Sequence, residues 1–148
     1  MKKAIFGAGC FWGIEEFFRK IDGVINTKVG YSGGNTINPL YEDICRGDTN
    51  HAEVVFINFD ENIISNKNLI KFFWKCHDST QLNKQGPDIG SQYRSVIFCD
   101  SDEQLKIAKE SKKEEQMKNK NLIVTKIQMM HKFYLAEDYH QLFIKKRS

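Results

Sequence analysis

Apolar positions along the chain switch between two spacings, and the switches mark out its elements. Ala4-Ile5-Phe6 is a short apolar run and predicts a strand over 3–7. After it, Ile14, Phe17, Phe18 and Ile21 fall at i, i+3, i+4 and i+7, the stripe of an amphipathic helix over 11–21 that Asp22-Gly23 stops. Residues 24–31, β-branched and partly alternating, predict a second strand. Gly33-Gly34-Asn35 and Asn38-Pro39 then mark a loop, and Tyr41 with Ile44 suggests a short helical turn over 41–47. The alternation in 51–59 predicts a third strand. Leu69, Ile70, Phe73 and Trp74 share one side of a helix that starts at Asn62 or Ser65.

Residues 77–92 show little periodicity, and a long ordered loop of this kind is usually functional. A strand over 93–99 follows, then a charged outer helix from Ser101 or Asp102 to about Asn119. A last strand over 122–130 and a closing helix over 136–146, carrying Tyr139, Leu142 and Phe143, complete the pattern. The leading order β-α-β-β-α-β predicts an α+β two-layer sandwich with a mixed sheet. It is a ferredoxin-like core extended by a helix, a strand and a C-terminal helix.

Length and charge narrow the setting. The 148 residues suit one domain, 1–148, with room for a real core. A net charge of +3 is too small to argue for nucleic acid. The start, Met1-Lys2-Lys3, leads into an apolar run too short for a signal peptide, and no segment is long enough to span a membrane. The expectation is a cytoplasmic, monomeric enzyme or binding protein.

Chemistry concentrates in Gly7-Ala8-Gly9-Cys10-Phe11-Trp12-Gly13, at the strand-to-helix turn. The unpaired N–H groups and positive dipole end of a helix N-terminus favour a thiolate there. Phe11 and Trp12 cannot both face a core, so an aromatic wall is expected beside the sulfur. The remaining cysteines, Cys45, Cys76 and Cys99, are widely spaced, with no Cys-x-x-Cys pair among the four. Three polar-aromatic clusters lie outside the apolar faces: Tyr41 and its turn, His51-Ala52-Glu53, and Asp88 to Arg94. Singly, each of these residues is more simply structural, and Glu53 in particular reads as an outward-facing strand residue. They form a site only if the fold brings them to Cys10.

The sequence Gly9-Cys10-Phe11-Trp12-Gly13 resembles the signature of the A-type peptide methionine sulfoxide reductases. Further blocks are similar to that family in its own order. They are 30–34 (GYSGG), 38–41 (NPLY), 47–53 (GDTNHAE), 73–78 (FWKCHD), 85–95 (QGPDIGSQYRS) and 133–141 (FYLAEDYHQ). The resemblance implies reduction of methionine-S-sulfoxide, free or in proteins, through a sulfenic acid on Cys10. Glu53 would be the acid, with Tyr41 and Tyr93 as donors to the sulfoxide oxygen and Asp88 ordering the polar network. Phe11, Trp12, Gly13 and His51 would contact substrate, with Phe11 and Trp12 holding the S-methyl group. No metal and no bound cofactor are implied; the reductant would be an external thiol such as thioredoxin, glutaredoxin or glutathione.

Asn50, Ser79 and Leu135 depart from the family's usual residues without removing a proposed catalytic group. No cysteine follows Cys99. The family's C-terminal resolving cysteines therefore have no counterpart, and a one-cysteine mode is expected, with an external thiol acting on Cys10. Some one-cysteine relatives carry selenocysteine at this position. Three other readings compete: a thiol peroxidase or Cys/His acyl transferase with His51 as base, a non-enzymatic methionine-binding module, and a zinc site from Cys45, His51, Cys76 and His77.

Overall fold

In the computed structural model, which describes residues 2–130 and 132–148, a six-stranded sheet draws strands from almost the whole sequence. In chain order the elements are β1 (Lys2–Ala8), α1 (Phe11–Arg19), β2 (Val24–Ser32), α2 (Tyr41–Cys45), β3 (Ala52–Phe59) and α3 (Asn66–Lys75). There follow the two-residue strands β4 (Lys84–Gln85) and β5 (Asp88–Ile89), then β6 (Ser95–Cys99), α4 (Asp102–Gln116), β7 (Lys126–Met129), β8 (Tyr134–Leu135) and α5 (Phe143–Arg147).

The large sheet has the order β7-β6-β1-β3-β2-β8. β6-β1-β3-β2 is the ferredoxin-like core, and all its neighbours are antiparallel because β3 inserts between β1 and β2. Among the described residues only β7 lies parallel to its neighbour, β6, which makes the sheet mixed.

Period-two alternation sorts the strand residues between the two faces. Ala4, Phe6 and Ala8 of β1, with Val55, Ile57 and Phe59 of β3, meet the helices. Phe6 is the hub, with ring centroids 5.4 Å from Phe18 of α1 and 5.0 Å from Phe73 of α3. Ile5, Ala52, Val54, Val96 and Phe98 face the other way, where Met130 and Phe133 pack on them. Gly30 lets β8 lie against β2, since a Cβ there would run into the Tyr134 carbonyl and the Phe133 ring.

Several boundaries differ from the sequence pattern. The loop after α3 holds the small β4–β5 hairpin, and 91–93 form a 3-10 turn, so β6 starts at Ser95. The strand expected over 122–130 is confined to β7, because the chain before it bonds elsewhere: Ile123 N–H to Gln116 Oε1, and Val124 N–H to the Ser79 carbonyl; a further two-residue strand, β8, follows it. The expected helix over 136–146 is broken. A 3-10 turn, Asp138–His140, leads to Leu142 at φ 51°, and only then does α5 begin. Tertiary hydrogen bonds account for the break. The Gln141 amide pairs with both the N–H and the carbonyl of Val29, at 2.9 Å each. The Leu142 N–H goes to the buried Glu15 carboxylate at 2.7 Å. Among the described residues no helix is long and apolar enough to cross a membrane.

Phe18 is fully buried where α1 meets the sheet. Phe18→Ala is expected to cost about 3–5 kcal/mol, read as a lower urea midpoint with an unchanged m-value.

Candidate active site

The strand-to-helix turn forms as its residues require. Gly9 takes φ +104°, a conformation L side chains rarely adopt, and a Cβ there would press on Gln85. Cys10 follows as the N-cap of α1 with φ −57° and ψ 121°. The backbone amides of Trp12 and Gly13 pull the pKa of its thiol down. Gly13 acts through that amide, since nothing lies within 4 Å of where its Cβ would be.

Glu53 lies beneath this turn. It shares the parity of Val55, Ile57 and Phe59, so it points to the helix face and not to solvent, and it is only 2% exposed. Its Oε1 accepts the Phe11 N–H at 3.2 Å. Burial pushes its pKa up to about 8; the Phe11 N–H works against this, and Asp88 adds to the rise.

The thiol behaves differently from the sequence expectation. Burial raises Cys10 to a pKa of about 11. The Trp12 amide lowers it, Glu53 and Asp88 raise it, and the Gly13 amide lowers it. The helix N-terminus does pull toward thiolate, but desolvation and two carboxylates outweigh it. At neutral pH the resting pair is a thiol beside a protonated acid.

Asp88, Tyr93 and Tyr41 complete the cluster. Asp88 is close enough to Cys10, Glu53 and Tyr93 to raise all three. Burial pushes Tyr93 to about 12, helped by Glu53, Asp88, Cys45 and Cys10. Tyr41 is raised by burial and by its hydrogen bond to the Cys45 thiol, so both phenols stay protonated donors.

The two aromatics after Cys10 part company. Phe11 is 1% exposed and packs on Tyr31 and His140, with ring centroids 5.7 and 5.1 Å away. Trp12 is half-buried, and its Nε1–H donates to His140 Nδ1 at 2.9 Å. His51 has both ring nitrogens engaged in its own loop. Nδ1 accepts the Gly34 N–H at 3.0 Å, and Nε2 meets the Thr36 carbonyl at 2.8 Å. Among the described residues no group of three or more His, Cys, Asp or Glu side chains could hold a metal ion.

Two supports went unassigned in the sequence. Glu137 receives the Tyr31 hydroxyl at 2.9 Å and the Tyr41 N–H at 2.8 Å, and His140 sits among the aromatic rings. Both lie in the stretch whose spacing reads as a closing helix. Their signal was the similarity of 133–141 to the family block, which carries no role by itself.

Residues 2–148 match the family model described as peptide methionine sulfoxide reductase. A relative from Methanothermobacter thermautotrophicus, peptide methionine sulfoxide reductase MsrA, is 54% identical over 147 residues, which span 98% of this chain and 87% of the relative. The crystal structure of reduced Mxr1 from Saccharomyces cerevisiae is similar with a TM-score of 0.94 at 40% identity, covering 98% of this chain and 84% of that one. The same yeast protein in complex with Trx2 gives 0.69 at 30% identity, covering 96% and 84%. Agreement of this extent, in sequence and in fold, makes one assignment: the chain belongs to the A-type peptide methionine sulfoxide reductase family.

Proposed function

We propose that this chain, as a single catalytic unit, reduces methionine-S-sulfoxide, free or in oxidised proteins, through a sulfenic acid on Cys10. The observation that carries this reading is the contact of Glu53 with the first turn of α1: a buried carboxyl, neutral up to about pH 8, beside a cysteine that is still a thiol. A sulfoxide oxygen leaves poorly unless protonated, and two protons stand ready for it.

The Cys10 sulfur attacks the methionine sulfur while the oxygen takes the Glu53 proton and then the thiol proton, and departs as water. An S–S bond to a sulfonium remains, balanced by the Glu53 carboxylate. Water then adds to the Cys10 sulfur, the thioether leaves with the S–S electron pair, and the released proton returns to Glu53. Cys10 is oxidised by two electrons and methionine sulfur is reduced by two. Tyr41 and Tyr93 donate to the oxygen during the first step, Asp88 orders the polar groups, and the half-buried Trp12, backed by Phe11, forms the wall for the S-methyl group.

The reset of Cys10 follows a one-cysteine mode without a bound cofactor, in which an external thiol attacks the sulfenic acid. A thioredoxin-type dithiol is favoured by the Trx2 complex of the yeast relative. A monomer in the reducing cytoplasm suits four free thiols.

Cys10→Ser is expected to abolish turnover of methionine-S-sulfoxide with dithiothreitol; retained turnover in that variant would sink the reading. Pre-steady-state oxidation of Cys10 should be level below pH 8 and fall above it as Glu53 ionises. Glu53→Gln should lose that alkaline limb and slow the step by roughly 10²–10⁴-fold. Iodoacetamide should label Cys10 slowly at pH 7 and faster as pH approaches 11, with Glu53→Gln speeding it at intermediate pH. Intact mass after one equivalent of sulfoxide should show a gain of one oxygen; an internal disulfide would instead mark Cys45, Cys76 or Cys99 as a resolving residue.

A further inference from the structure

The indole of Trp12 is held from two sides by one stretch of chain, the segment following β8. Its face stacks on Phe143, with centroids 3.7 Å apart and planes within 5°, and the Arg147 guanidinium covers the other side of Phe143 at 3.5 Å. The indole N–H donates to His140 Nδ1 at 2.9 Å. An indole nitrogen is only ever a donor, so Nδ1 must be the unprotonated nitrogen, and the neutral ring carries its proton on Nε2. That Nε2 has no partner among the described residues, although His140 is 0% exposed. The imidazole is therefore used at one nitrogen alone, the one that faces Trp12. Burial favours the neutral form, with Glu137 pulling the other way.

The same imidazole supports the other half of the site. Its ring lies 5.1 Å from Phe11 and 4.6 Å from Tyr41. His140 thus sits between the expected methyl wall and an expected oxygen donor.

We propose that His140 is a positioning residue: by accepting the Trp12 indole proton at Nδ1, it sets the angle of the wall against which the sulfoxide's S-methyl group is held. This rests on the function proposed above, but the indole hydrogen bond can be tested without it. Losing the acceptor frees the indole to turn on its stack with Phe143. Substrate affinity should then weaken by roughly three- to tenfold, the range of one neutral hydrogen bond. The chemical step, which uses Cys10 and Glu53, should change far less.

The test compares His140→Leu, which fills space without an acceptor, with His140→Asn, whose Oδ1 can take the place of Nδ1. The probe is N-acetyl-methionine-S-sulfoxide with dithiothreitol. The protein contains two tryptophans, so the Trp12 indole N–H resonance is assigned by its loss in Trp12→Phe. We expect His140→Leu to move that resonance upfield and raise KM with kcat within about twofold, and His140→Asn to restore both in large part. In a Trp12→Phe background His140→Leu should add no further rise in KM. The proposal is overturned if the two His140 variants are equally impaired, if KM stays constant while the indole resonance moves, or if the resonance does not respond. An inactive wild-type protein with a responsive indole would count against the reductase reading and leave the hydrogen bond standing.

Discussion

The candidate site is built on a carboxyl group buried under the first turn of a helix. Glu53 occupies the helix-facing side of β3 because Val55, Ile57 and Phe59 must occupy it, and two-residue alternation carries that face down the strand. Among the described residues its hydrogen-bond donor is the Phe11 N–H. One amide cannot replace the hydration of a carboxylate, so the group remains an acid at neutral pH. The same desolvation acts on Cys10, which the Trp12 and Gly13 amides would otherwise pull toward thiolate. The site therefore stores protons where a helix N-terminus alone would release one.

Around this pair the molecule uses polar groups to bend the chain out of regular structure. Gln141 takes both backbone groups of Val29, and Glu15 takes the Leu142 N–H together with the Thr27 hydroxyl. These bonds cost the C-terminal segment its helix, but they bring Glu137, His140 and Phe143 up against the aromatic residues at the start of α1. Glu137 in turn holds Tyr31 and the start of α2, which presents Tyr41. Order in the site is thus tied to a segment more than a hundred residues away in sequence.

Much of the framework was legible beforehand. The i, i+3, i+4 stripe of Ile14, Phe17 and Phe18 and the alternation in β3 are local patterns, and burial of one face is enough to enforce each. Cys10 at the turn was legible for the same reason, since Gly9 and the apolar stripe place it at a helix start. The closing helix was not, because Tyr139, Leu142 and Phe143 satisfy a helical spacing while their neighbours bond to distant partners. Nor did spacing show how the His51 ring is held: Nδ1 accepts the Gly34 N–H and Nε2 meets the Thr36 carbonyl.

The sequence by itself determined the βαββαβ order, the helix faces, the placement of Cys10 at a helix start and, through its several motif blocks, the family. Each of these is carried by residues within a few positions of one another or by identity of type. Only the tertiary structure decided which way Glu53 points, how far its proton and that of Cys10 are retained, and which groups brace Trp12. Those properties come from desolvation and from hydrogen bonds between remote segments. Neither is encoded in spacing, because both depend on what the completed fold removes from water.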